Sequence, residues 1–427
     1  MSSSNTYDVI IVGCGVFGLS TAIHLAKKGA RVVALDAFPV PSPLSAANDY
    51  NKIIRIEYPD PLYMKLAVDA LAKWETDPLY SKNFYKVGRL TLSPLQQDDE
   101  SIGRLNYEKK SLENIEKFGI KQNIIKINNP DDLSNLIPEF KSNALPDTIS
   151  AAYNKNAGFA HSANSLRSAY EEAVRLGVTF RTGKSGHVIK VDDGEVLCES
   201  GDLYYGSKVL ISMGAATGNL IDLQGQIKAT GIFVTHIQLT EEESKKYRNL
   251  PIFFSAELGY FFPPDKETNV FKFVLTSCDA KNTITNPFNP EESISLPRYK
   301  TQFESDTIPE HTIEDAKQTL NLLLPELADK PLTDCKVCWL SDTTDSHFLI
   351  DKVPFFGNVY VACGDSGHGF KFLPNIGKYI SQVLDGTIDA DIKKSWSWKR
   401  YPTWKRGVSS RVTRPNHEMK DINWYIE

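Results

Sequence analysis

Positive charge is not in excess: 48 lysines and arginines stand against 53 aspartates and glutamates, a formal net charge of −5. That balance offers no basic face for nucleic acid or another polyanion. Cysteine is scarce, six residues in 427 without regular spacing, so a disulfide framework is not indicated and a reducing compartment is expected. Long apolar runs are missing as well. The most apolar stretch, Val9 to Ala26, is broken by Gly13, Gly15, Gly18 and His24, which excludes a membrane span. There is no basic leader with a cleavage site and no terminal Ser-Lys-Leu, so the cytosol is the expected location. Repeats and low-complexity tracts are absent too. What remains is ordinary globular composition, 41% hydrophobic and 24% charged. Its length suits two domains or one large discontinuous one.

The informative stretch runs from Tyr7 to Asp36. Tyr7-Asp8-Val9-Ile10-Ile11-Val12 reads as a short buried strand, and Gly13-Cys14-Gly15-Val16-Phe17-Gly18 turns it into a helix that stops at Gly29. A second apolar run, Arg31 to Leu35, ends in Asp36. Strand, glycine-rich turn, helix, strand and acid in this order bind a dinucleotide. Gly13 permits the tight turn, Gly15 lets the backbone approach a pyrophosphate, and Gly18 lets helix and strand pack closely. The helix start at Val16 and Phe17 offers free N–H groups to phosphate, and Asp36 offers a carboxylate to a ribose. Both FAD and NAD are held this way, so the rest of the chain must decide between them.

After Asp36 a proline-rich loop, Phe38 to Pro43, cannot be helical. Ser45 to Arg55 follows, dense in small and hydrogen-bonding groups. Leu62 to Trp74 has helical spacing, and Arg89 to Leu92 resembles a strand entering a second domain. Residues 98–146 are charged and helical, read as a solvated face. Ser165 to Leu176 is helical; Val178 to Arg181, His187 to Val191 and Leu203 to Ile211 read as strands. Phe233 to Val274 carries the alternation of an antiparallel sheet. Ile313 to Leu324 is helical, Val359 to Cys363 is a buried strand, and Pro374 is placed to open a last helix. Nucleotide-type segments thus occur at the start, middle and end, around an inserted sheet-rich part. The expected fold class is α/β: a discontinuous Rossmann-type FAD-binding domain (1–60, 150–225 and 330–390) with an inserted α+β substrate domain (61–149 and 226–329). Residues 391–427 are expected to close over the site. An interrupted domain of this kind favours a flavoprotein oxidase over an NAD-dependent dehydrogenase or a non-catalytic flavin-binding protein.

Five blocks carry a family resemblance: Pro41 to Lys52 (PSPLSAANDYNK), Thr235 to Leu239 (THIQL), Tyr260 to Asp265 (YFFPPD), Cys338-Trp339 with Asp342-Thr343, and Gly364 to Gly377 (GDSGHGFKFLPNIG). In order and spacing they resemble the sarcosine oxidase superfamily of FAD-dependent amine oxidases. Within it they are similar to the fungal fructosyl amino acid oxidases (amadoriases), with saccharopine and pipecolate oxidases as near relatives. The resemblance implies oxidation of a secondary amine, with an imine hydrolysed by water and O2 reduced to H2O2. It implies FAD linked covalently through Cys338, and a flavin site of Ser45, Asn51, Lys52, Val188, Asp342, Gly364, Gly367, His368, Gly369, Phe370 and Lys371. Cys335 and Cys338 form a C-x-x-C, but no second pair completes a zinc set, and no metal is expected. The resemblance gives Lys371 the substrate carboxylate and Lys272 the promotion of O2 reduction; His368 is read as shaping the flavin site. Alternation in Phe271-Lys272-Phe273 would also fit an exposed face. Tyr260, Thr276 and Arg411, or Arg414 in place of Arg411, are the remaining substrate candidates. Two positions depart from the amadoriase pattern: Thr276 replaces a sugar-binding Glu, and Pro415-Asn416-His417 replaces Pro-Asn-Arg. They bear on the sugar and leave the oxidase expectation intact. The expected partners are a small amine and O2, with no nucleic acid or membrane, in a monomer or weak dimer.

Overall fold

The structure, a computed structural model, describes residues 5–95, 99–120, 123–141, 145–399, 402–404 and 414–427. β1 (Thr6–Val12) sits between β2 (Val32–Leu35) and the strand Leu203–Ile211, parallel to both. Thr179–Arg181 extends this sheet beyond β2, and Val359–Cys363 extends it beyond Leu203–Ile211, again in parallel. β2 is buried along its whole length, as a parallel sheet covered on both faces requires. The helix α1 (Val16–Lys27) lies on one face, and its buried residues include Phe17, Leu19, Ala22 and Ile23. Leu349–Lys352 and the hairpin Val188–Asp192/Glu195–Cys198 complete the sheet in antiparallel fashion.

Among the described residues the second sheet has ten strands. At its centre Ile227–Gln238 pairs antiparallel with both Thr333–Thr343 and Val270–Val274. Arg89–Leu92, Ala151–Asn154 and Ile124–Ile127 form one end of it. The helix Thr312–Leu323 contributes Ala316, Leu320 and Leu323 to the core around Phe233, Phe253 and Phe271.

Three expectations need correction. Thr333–Thr343, expected within the nucleotide-binding part, runs in the larger sheet, and its Ser341 N–H donates to Asp365 at 3.1 Å. The charged region 98–146 is not wholly helical. After the helix Asp99–Lys117 comes the strand Ile124–Ile127, whose short alternation is hidden among charges and is fixed by pairing with Ala151–Asn154. The late helix Ile376–Asp385 is followed by another, Ala390–Trp396, which buries Trp396 completely. Among the described residues no helix is long and apolar enough to cross a membrane.

Candidate active site

A cavity of about 1140 Å³ lies between the two sheets, lined from Gly13 and Asp36 at one end to Arg104 and Arg414 at the other. Gly13, Gly15, Val16, Phe17 and Asp36 all face it. Gly13 has φ +98°, and a Cβ there would stand 2.6 Å from the Ser212 carbonyl oxygen. A Cβ on Gly15 would meet nothing within 4 Å, so its backbone is open to a phosphate. Gly18 is a packing glycine rather than a lining one: its Cβ would be 2.0 Å from the Gly13 oxygen. Asp36 accepts from the Cys14 and Phe38 N–H groups at 2.9 and 3.1 Å, which fixes the carboxylate at the end of β2. Burial raises its carboxyl above the ordinary value.

The cavity is also lined by Ser45, Asn51, Lys52, Val188, Tyr260, Lys272 and Cys338. Lys272 is no surface cation. Every residue from Phe271 to Val274 is buried, and Lys272 is 2% exposed. Its ammonium donates to the buried carboxylate of Asp49 and, at 3.1 Å, to the Asn51 carbonyl. Lys52 holds the same Asp49 oxygen at 2.5 Å. Burial alone would raise the Asp49 carboxyl, but Lys272 and Lys52 outweigh it and hold it far below the carboxylate range. Burial lowers Lys272 to about 8 despite Asp49.

Cys338 and Cys335 share one strand but point to opposite sides of it. Cys335 is buried against the Thr235 hydroxyl at 3.1 Å, while Cys338 faces the cavity, and all six cysteines are free thiols. An odd separation along a strand dictates this. Burial pushes the Cys338 thiol up, opposed first by Lys52.

Gly367, His368, Gly369, Phe370 and Lys371 bring the late turn to the same cavity. Lys371 is 5% exposed; its ammonium donates to the His368 carbonyl at 2.8 Å and has no carboxylate partner among the described residues. Burial, then Arg55 and Arg89, push its pKa well below the usual lysine value. Trp74 fixes this turn by donating to the Lys371 carbonyl at 2.8 Å. The His368 ring meets the Ser346 carbonyl at 2.9 Å and the Tyr58 hydroxyl at 3.3 Å. Burial, reinforced by Lys371, pushes its pKa well below the ordinary histidine value.

Not every candidate comes to the cavity. Asp342 and Gly364 lie behind its wall; a Cβ on Gly364 would stand 2.5 Å from the Thr343 methyl group, so this glycine serves packing. Thr276 lines a separate small cavity beside Glu257 and Asp315, and its hydroxyl donates to the Glu257 carbonyl at 3.1 Å. Arg411 lies outside the described residues. Arg414, the alternative to Arg411, lines the cavity. Conversely, Asp49, Arg55, Arg89 and Arg104 belong to the site region and were not singled out from sequence. Arg55 carried a signal, ending the polar loop that supplies Lys52; its guanidinium bonds the Glu57 carbonyl and, at 3.2 Å, the Tyr107 hydroxyl.

Residues 8–383 match the FAD dependent oxidoreductase (DAO) family. The chain belongs to this family. It is 39% identical over 408 residues to the L-saccharopine oxidase of Schizosaccharomyces pombe, covering 92% of this chain and 93% of that one. To a monomeric sarcosine oxidase of Arthrobacter it is 26% identical, covering 92% and 96%. Among solved structures, the fructosyl peptide oxidase of E. terrenum superposes with a TM-score of 0.89 at 27% identity over 100% of this chain and 99% of that one. Amadoriase II of Aspergillus fumigatus superposes with a TM-score of 0.85 at 29% identity, covering 99% and 98%. The expected α/β fold and the sarcosine oxidase superfamily are thereby established, and the protein is an FAD-dependent amine oxidase. The residues fit that cofactor: the open backbone at Gly15, the ordered Asp36 carboxylate and the cavity-facing Cys338 all lie on one continuous lining.

Proposed function

We propose that this oxidase acts on the secondary amine of an N-substituted amino acid of the saccharopine type. The observation that carries the reading is Lys371, a buried ammonium without a carboxylate partner among the described residues, facing the cavity beside Arg55. A fixed ammonium and a guanidinium in a water-poor cavity suit a substrate carboxylate. The 39% identity to L-saccharopine oxidase supports this substituent over a sugar, as does the seat of Thr276 outside the cavity.

FAD, when bound, supplies the two-electron acceptor, and its reoxidation by O2 yields H2O2. The chain's residues do the rest. Gly13, Gly15, Val16, Phe17 and Asp36 hold the dinucleotide, and Cys338 is the thiol that would bind it covalently. Lys371 and Arg55 anchor the substrate carboxylate and so orient the carbon beside nitrogen. Lys272, fixed by Asp49, keeps a positive charge ready where O2 is reduced. The apolar walls, with Phe262 and Val274, limit water around the amine. The oxidised substrate is an imine, which water cleaves to a carbonyl compound and a free amine.

A second reading, oxidation of fructosyl amino acids, is supported by the structural likeness to the fructosyl peptide oxidase and to amadoriase II. A peroxide assay with L-saccharopine, L-pipecolate, sarcosine, fructosyl-valine and fructosyl-lysine separates the two. Saccharopine is expected to exceed fructosyl-lysine in kcat/KM by about tenfold or more, ~1.4 kcal/mol of transition-state discrimination. The reverse order would transfer the assignment to the second reading, and no peroxide from any of the five would overturn both.

A further inference from the structure

Beyond Lys371 and Arg55 the cavity wall continues with two more cations. Arg89 enters from the strand Arg89–Leu92 and Arg104 from the helix Asp99–Lys117. Both are buried, at 4% and 7% exposure, and both line the cavity. Their guanidinium groups converge on one ring: Phe254, whose centroid is 4.5 Å from Arg89 and 5.1 Å from Arg104. Two carboxylates face the group. Glu108 accepts from Arg104 Nε at 3.0 Å. Glu57 lies 3.9 Å from Arg89 and already accepts from the Asn154 amide at 3.0 Å.

Arg55, Arg89, Arg104 and Lys371 bring four cationic side chains to the cavity lining. Arg89 Nε, moreover, has no hydrogen-bond partner among the described residues. A buried guanidinium with unused donors is costly unless an anion completes it. Burial, reinforced by Arg55 and opposed by Glu57, lowers Arg89 to about 10. Two arginines flanking an aromatic ring on a cavity wall present planar donor forks suited to a carboxylate.

We infer that Arg89 and Arg104 form a second carboxylate subsite, so that the preferred amine carries a carboxylate on each of its two nitrogen substituents. This rests on the reading that an amino acid amine is oxidised in this cavity. The Lys371–Arg55 end then holds the carboxylate of one arm, and the Phe254 end holds that of the other. An amine with a single carboxylate leaves the second subsite unfilled.

The test compares the holoenzyme with Arg104→Met, Arg104→Lys and Arg89→Met, each checked for flavin content and Tm. The substrates are L-saccharopine, with carboxylates on both arms, and L-pipecolate, with one. Arg104→Met should lower the saccharopine-to-pipecolate ratio of kcat/KM on the order of thirtyfold, the span of a charge-assisted hydrogen bond. Arg104→Lys should recover much of it, and Arg89→Met should act in the same direction. Equal losses for both substrates, or none, would overturn the subsite. If the unaltered enzyme oxidises neither amine, the functional reading fails separately. Binding of glutarate and acetate, followed by the flavin absorbance, then decides. A Kd for glutarate that rises in Arg104→Met while that for acetate holds supports the subsite, and parallel or absent changes overturn it.

Discussion

At the scale of single residues the centre of the site is the buried trio Lys272, Asp49 and Lys52. One carboxylate between two ammonium groups leaves a net positive charge where water is scarce, so Lys272 remains near its titration point at about 8. Below that pH it carries the charge assigned to O2 reduction; above it the charge is lost. Reoxidation of reduced enzyme by O2 should therefore slow as pH rises through about 8, while reduction by substrate need not follow that profile. Lys272→Met should slow reoxidation on the order of a hundredfold, comparable to loss of one electrostatic contact in a low-dielectric site. Stopped-flow measurement of the two half-reactions checks this, and equal slowing of both would contradict the role. Lys272 was legible as a lone cation in an apolar strand. Asp49 was not, because Asn48-Asp49-Tyr50 reads as turn chemistry and its partner is 223 residues away. Arg89 and Arg104 were hidden for a similar reason. One looked like the first residue of a strand and the other like part of a solvated helix, and only tertiary packing buries them.

At the scale of elements, the Ser20 hydroxyl links the nucleotide helix α1 to the start of the late helix Ile376–Asp385. Ser20 donates to the Leu373 carbonyl at 2.7 Å and accepts from the Gly377 N–H at 2.9 Å. The approach is so close that a Cβ on Gly377 would lie 2.0 Å from the Ser20 carbonyl oxygen. Gly377→Ala must separate the helices against backbone atoms that cannot turn aside. It should cost about 1–3 kcal/mol of stability and loosen FAD, read as a lower Tm and a larger free-flavin fraction on gel filtration. An unchanged Tm and flavin content would show that this contact does not couple the two segments. Apolar periodicity made both helices readable in the sequence, and Gly13, Gly15 and Gly18 announced the turn before α1. The strand Ile124–Ile127 was not readable, since four residues in a charged stretch acquire strand character only from the neighbour they pair with.

At the scale of the whole molecule, the chain returns to the first sheet twice after leaving it, and the cavity is what the two sheets enclose together. The discontinuous plan was visible in the recurrence of buried strands. The ownership of Thr333–Thr343 was not, because its residues suit either sheet and only pairing with Ile227–Gln238 selects the larger one. That choice matters for function: it lets a strand of the second sheet present Cys338 to the cavity that β1 and α1 open from the other side. The most direct measurement is to precipitate the purified yellow protein with acid, digest it and map the flavin by mass. If the opening βαβ unit, the late turn and Cys338 share one FAD, the flavin stays with the protein on the peptide containing Cys338, and Cys338→Ala releases it. Flavin free in the supernatant of the unaltered protein, or attached to another residue, would contradict the placement of Cys338 at the cofactor.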